Sequence, residues 1–201
     1  RARGILVGIA GAIKLTPLIF IPYFLVTGQR RQAAVATASF TAATALGFAM
    51  FPGDSLFFWA HLGKNDQFGE ATRLYNLSIH AGLIRLWPAA GQQTLVWVAL
   101  ALVVAVFAMV RARRHYLAGE RMEAALTVGA SAVVLAPIAW PHYHVWVMLV
   151  ALWLVTFPHR RHQIVGIVIC VFYSMPFDIW LAVSTPHTAG PGTPAAMTRP
   201  E

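Results

Sequence analysis

Long apolar runs alternate with short polar connectors along this chain. The runs fall at about Gly4–Val26, Ala33–Phe51, Thr94–Val110, Glu123–Trp140, Val145–Phe157 and Ile164–Val183. A bilayer's hydrocarbon core is crossed by about 20 apolar residues in a helix. The pattern therefore predicts an all-α, polytopic transmembrane protein with about five to seven membrane segments. It reads as one integral membrane domain over residues 1–201, ending in a flexible Gly/Pro-rich tail over residues 184–201.

The first run is irregular. Lys14, Thr16 and Pro17 interrupt it near its middle, and Arg1 and Arg3 precede it while Arg30 and Arg31 follow. Proline removes a backbone donor, and in lipid a broken helix persists only where protein or water satisfies the freed groups. Two readings stand: a broken or re-entrant helix with Lys14 near its apex, or one straight crossing whose lysine snorkels to the interface. A second irregularity lies in the long connector from Pro52 to Gln93. Within it Asn76–Trp87 has helical periodicity, with Ser78, Gly82 and Arg85 on one face and Leu77, Ala81, Ile84 and Trp87 beside them. That pattern predicts an amphipathic helix lying at the bilayer surface.

Charge orients the segments. The connectors Gln29-Arg30-Arg31, Arg111–Arg121 and His159-Arg160-Arg161-His162 are short and basic, as loops on the cytoplasmic side are. The connector from Pro52 to Gln93 balances Lys64, Arg73 and Arg85 against Asp54, Asp66 and Glu70, and is expected outside with the Pro141–His144 turn and the tail. A multi-pass membrane protein follows, and the plasma membrane is its expected location. Composition agrees: 58% of the 201 residues are hydrophobic and only 11% charged, against about 25% in ordinary soluble domains. A soluble globular enzyme is excluded. The net charge of +8 does not point to nucleic acid, because the basic residues sit between apolar runs rather than on one polar face. The single cysteine, Cys170, excludes an internal disulfide. The chain opens at Arg1 within an apolar pattern, so it is expected to be part of a longer polypeptide.

Few residues here suit chemistry. An intramembrane lysine is costly and requires a partner; a lipid or substrate phosphate suits Lys14, and carbonyls freed by the Pro17 break are the structural alternative. In Pro137–Trp146, His142 and His144 stand at an outer boundary among Trp140, Tyr143 and Trp146, which have the character of interfacial belt aromatics. Spaced i, i+2, the two histidines point apart on a helix and do not share a metal. One of them suits hydrogen bonding or charge donation to a phosphate leaving group. Arg85 with Ser78, and Asn76 beside them, form a candidate phosphate-facing strip, for which attraction to lipid headgroups is the plainer account. Asn76-Leu77-Ser78 also fits the glycosylation pattern, a weak signal. Asp178 is an isolated acid of second rank. No zinc spacing, nucleotide-binding loop or Ser/His/Asp arrangement is present, and neither metal nor cofactor is expected.

Three stretches resemble glycosyltransferase family 87. These are Ala12-Ile13-Lys14-Leu15-Thr16-Pro17 with the basic end at Arg30-Arg31; Phe51-Pro52, Ser55 and Trp59 followed by Asn76-Leu77-Ser78 and Arg85; and Leu135–Trp146, in which His142-Tyr143-His144 replaces that family's paired histidines. The resemblance implies a GT-C fold with its active site at the extracytoplasmic membrane face. It implies a hexosyltransferase carrying mannose from a polyprenyl phosphate donor to a mannosylated glycolipid or lipoglycan in α-(1→2) linkage. The general-base Asp would lie upstream of Arg1. Lys14 and a histidine of the Pro141–His144 turn would balance charge on the leaving phosphate. The alternative from another class is a polyprenyl-lipid transporter or flippase-like protein, which also needs a buried lysine and a lipid-sized hollow.

Overall fold

A computed structural model of the chain describes residues 2–62, 76, 78–87, 92–139 and 141–174, the side chains of Ala2, Pro141 and His142 excepted. Trp140, Asp178 and the tail lie outside the described residues. Every regular element described is helical: α1 (Ala2–Ile13), α2 (Phe20–Val26), α3 (Arg30–Met50), α4 (Pro52–His61), α5 (Ile79–Leu86), α6 (Gln92–Leu117), α7 (Arg121–Leu135), α8 (Val145–Val155) and α9 (Arg160–Ser174). Single 3₁₀ turns occupy Thr16–Ile19 and Pro141–His144.

Of these, α3 and α6 are long and apolar enough to cross a membrane, and only 11% of the apolar window of each is buried. The core helix of a soluble protein would be mostly covered, so these surfaces face lipid or further protein. The other apolar helices are shorter, with 15 residues in α7, 11 in α8 and 15 in α9. By length alone, then, two of the expected five to seven segments qualify among the described residues.

The irregular first run is a hairpin. Along α1, Gly4 lies against Gln32 and Val35, and Gly8 against Ala36, Ser39 and Phe40, so α1 climbs beside α3 in the same direction. The last α1 bond runs from the Lys14 amide to Ala10 O at 2.9 Å. Pro17 then cannot continue the ladder, and the chain turns through Thr16–Ile19 with Leu18 packed on Gly11. Helix α2 runs back down. Both ends of residues 4–26 therefore meet the start of α3, so the run is a broken helix folded into a hairpin, the first of the two arrangements its sequence allows. Small residues allow the approach: a Cβ on Gly8 would lie 2.6 Å from Ser39 Cβ. Close helix contact through small residues is the usual solution in lipid, where burial of apolar surface gives no advantage.

Two glycines close the basic loops. Gly28 (φ 78°) and Gly119 (φ 85°) take the left-handed conformation that ends helices, with Gln29 and Glu120 amides bonding back to Phe24 O and His115 O. Arg113 Nε donates to Val26 O at 3.1 Å, fixing the two loops side by side. Above them Tyr23, Phe24, Ala33, Ala36, Ala112, Ala124 and Val128 form the core that joins α2, α3, α6 and α7. Helices α8 and α9 form a second hairpin, with Gly166 against Ala151 and Val155.

One element within the connector from Pro52 to Gln93 departs from the sequence pattern. Pro52–His61 is helical and folds back beside α3, where Trp59 meets Phe40 edge-on at 6.5 Å. The helix expected within Asn76–Trp87 is present as α5, started by Ser78, whose hydroxyl accepts from the Ala81 amide at 3.0 Å.

Candidate functional site

The hairpin apex carries Lys14 to the end of the bundle opposite the basic loops. It lies beside Thr44 and Gly47, roughly 5–9 Å short of the end of α3 at 1.5 Å per residue. The lysine thus stands nearer the end of α3 than its middle.

Here Lys14 meets the turn before α8. Its Nζ stands 3.5 Å from the centroid of the Tyr143 ring, a cation–π contact. Together they line a cavity of about 530 Å³, walled by Leu15, Ile19, Phe58, Leu135 and Ile138 among others. A second hollow of about 290 Å³ reaches from Lys14 and Tyr143 towards Phe20 and Trp146, and a third of about 190 Å³ lies between Lys14, Thr44, Ser55 and Trp59. One ammonium shared by two mostly apolar hollows and a third, more polar one suits an anionic headgroup on a hydrocarbon tail.

Tyr143 and Trp146 are not lipid-facing belt residues. Trp146 packs on Gly129 of α7, where the indole leaves no room for a Cβ, and stands 6.0 Å from the Phe20 ring. Their spacing alone carried no sign of this, because an interfacial aromatic and a cavity-lining one have the same sequence signal. His144, in contrast, is buried and packs on Tyr173 with ring centroids 5.4 Å apart, and it does not line these hollows. His142 lies in the same turn.

The Asn76, Ser78 and Arg85 strip is placed beside the cavity wall and tied to it. The Ser78 hydroxyl donates to Pro137 O at 2.8 Å. Asn76, 2% exposed, accepts through Oδ1 from the amides of Ser78 and Ala139 at 3.2 and 3.1 Å. Arg85 donates to Asn76 O at 3.1 Å. These side chains fasten α5 to Pro137–Ala139, two residues of which line the larger cavity. The burial of Asn76 leaves no room for a glycan. On the other face of α5, His80 is buried against Trp97, with Nε2 3.3 Å from the Thr94 hydroxyl, and burial holds its pKa below the ordinary 6.5. Among the described residues no group of three or more His, Cys, Asp or Glu side chains is arranged to hold a metal ion.

The family model described as Glycosyltransferase family 87 matches residues 1–141, which include the hairpin, α5 and the wall at Pro137–Ala139. The chain belongs to glycosyltransferase family 87. Among its curated relatives is a polyprenol-phosphate-mannose-dependent alpha-(1-2)-phosphatidylinositol mannoside mannosyltransferase of Mycobacterium tuberculosis, 34% identical over 163 residues, 81% of this chain and 38% of that protein. A protein of the same name from Mycolicibacterium smegmatis is 31% identical over 170 residues, covering 81% of this chain and 39% of its own length. A phosphatidylinositol pentamannoside mannosyltransferase of Mycolicibacterium smegmatis is 35% identical over 159 residues, 77% of this chain and 38% of that one. The matches thus span about two fifths of these relatives' lengths. No solved structure matches. Membership of a glycosyltransferase family favours sugar transfer over the transporter alternative.

Proposed function

We propose that this chain forms the donor-lipid portion of a membrane mannosyltransferase that uses polyprenyl phosphate mannose and a phosphatidylinositol mannoside-type glycolipid, making an α-(1→2) linkage at the extracytoplasmic face of the plasma membrane. The observation that carries the reading is the Lys14 ammonium at the rim of the 530 Å³ apolar cavity. The isoprenoid lies along the apolar wall and the phosphate meets Lys14, which acts on phosphate as a point charge. An extracytoplasmic site follows from the end of the bundle that Lys14 occupies, away from the basic loops.

Transfer proceeds as an inverting displacement. The acceptor hydroxyl oxygen bonds to the anomeric carbon while the bond from that carbon to the phosphate oxygen breaks. The hydroxyl proton passes to a carboxylate base, and the bonding pair leaves on the polyprenyl phosphate. Negative charge grows on that phosphate, so a fixed cation beside it lowers the barrier more than it favours the bound donor. Within the turn, His142 supplies a further hydrogen bond to the phosphate, whereas His144 packs away from the hollows on Tyr173. Asn76, Ser78 and Arg85 act on the phosphate chiefly by holding the wall behind it.

The test is transfer of radiolabelled mannose from polyprenyl phosphate mannose to phosphatidylinositol mannosides in membranes from cells lacking the gene, with and without the full-length protein. Restoration of a labelled, α-(1→2)-linked product supports the reading. Restored membranes that transfer no mannose but move the intact lipid across the bilayer would replace it with the transporter.

A further inference from the structure

Tyr143 is left without a role by the mechanism above. It is half-buried, lines both larger hollows and turns its ring face to Lys14 Nζ at 3.5 Å. We infer that Tyr143 is a positioning residue for the donor: its ring fixes the Lys14 ammonium at the cavity rim, so that a lipid monophosphate meets a cation already in place. The inference rests on the phosphate-binding reading of Lys14.

Three physical points support it. Lysine carries its charge on a flexible four-carbon stem, and Lys14 stands where α1 breaks, so the backbone alone does not aim its ammonium. An aromatic face attracts a cation within about 6 Å of its centroid, most strongly where water is excluded. The orientation also comes from elements far apart in sequence, the α1–α2 hairpin and the turn before α8. Anything that seats that turn therefore seats the cation.

The consequence is phosphate discrimination. Binding of polyprenyl monophosphate is compared with binding of the neutral polyprenol of the same length, using the full-length protein in detergent with polyprenol-free controls. Tyr143→Leu should reduce the preference for the phosphate roughly tenfold, the scale of a desolvated cation–π contact, with the alcohol bound as before. Tyr143→Phe keeps the ring and should rescue most of that preference. Should the leucine variant fail to fold, Tyr143→Met, an unbranched non-aromatic gap filler, takes its place with the same expected loss. Adding either change to Lys14→Ala should cost no further discrimination. The inference is overturned if Leu or Met leaves the preference intact, if phosphate and alcohol weaken equally, or if Phe loses as much as Leu. If Lys14→Ala itself leaves the preference intact, the phosphate role of Lys14 fails first, and with it the reading on which this rests.

Discussion

Ser78 and Pro137 are joined by a hydrogen bond of 2.8 Å from the serine hydroxyl to the proline carbonyl, and the same hydroxyl caps α5 by accepting from the Ala81 amide. One side chain thus starts the surface helix and fastens it to the wall of the cavity. Ser78→Ala removes both bonds. Loss of a cap alone costs about 0.5–2 kcal/mol, so α5 should undock in part, read as faster hydrogen exchange over Ile79–Leu86 and a several-fold fall in transfer. Exchange unchanged from wild type would contradict the coupling.

Asn76 makes the parallel connection from its own side chain. Its Oδ1 accepts from the Ala139 amide, and Ala139 is fully buried. Asn76→Ala strands that amide, at a cost of about 1–3 kcal/mol. The full-length protein should lose several degrees of thermal stability, whereas a surface position such as Leu86, 86% exposed, should tolerate alanine.

The re-entrant hairpin rests on Gly8, whose missing Cβ admits Ala36 and Ser39. Gly8→Leu should separate α1 from α3, displace Lys14 and abolish transfer even though Lys14 is retained. Labelling of single cysteines at residues 5 and 25 checks the topology, because both should report the same side of the membrane. Opposite sides would establish a straight crossing.

Much of this arrangement was legible in the chain itself. Arginines on both sides of residues 4–26 and Pro17 within them left a hairpin and a straight crossing both open, and the packing of Gly4 and Gly8 along α3 is what gives the hairpin. Ser78, Gly82 and Arg85 on one face, with an apolar stripe beside them, showed α5 through their spacing. What stayed illegible depended on which surface an element meets. The spacing of Tyr143 and Trp146 does not distinguish lipid from cavity, and only the packing of Trp146 on Gly129 does so. Helix α4 was hidden because Pro52 and Gly53 resemble a loop, although proline is well suited to a helix's first turn. The polar strip at Asn76 and Ser78 looked like ligand chemistry, and its atoms are occupied mainly by the backbone of α5 and of Pro137–Ala139.

His80 gives the docking of α5 a pH dependence. Its folded pKa is depressed below 6.5 by burial, and the described groups it meets, Thr94 and Trp97, carry no charge. The undocked helix therefore binds a proton more readily than the docked one. Docking is complete above about pH 6.5 and weakens as pH falls through the lower, folded value. Hydrogen exchange over α5 should accelerate on acidification, and His80→Phe should remove that trend. Acceleration on raising the pH beyond the intrinsic exchange rate would contradict the sign.

The turn histidines should separate on substitution. His144 packs on Tyr173 and lies outside the hollows, so His144→Ala should lower thermal stability with a modest effect on transfer. His142→Ala should do the reverse. Equal, mild losses at both positions would return them to the role of interfacial residues.

Everything in the proposed chemistry depends on Lys14 meeting the donor's phosphate, and the most direct measurement is transfer of labelled mannose by the full-length protein carrying Lys14→Ala, at matched membrane levels. A fall in kcat/KM of about two orders of magnitude or more is expected where a fixed cation stabilises developing charge, with Lys14→Arg recovering part of it. Turnover equal to the unsubstituted protein would contradict the phosphate role and leave the cavity without its polar anchor.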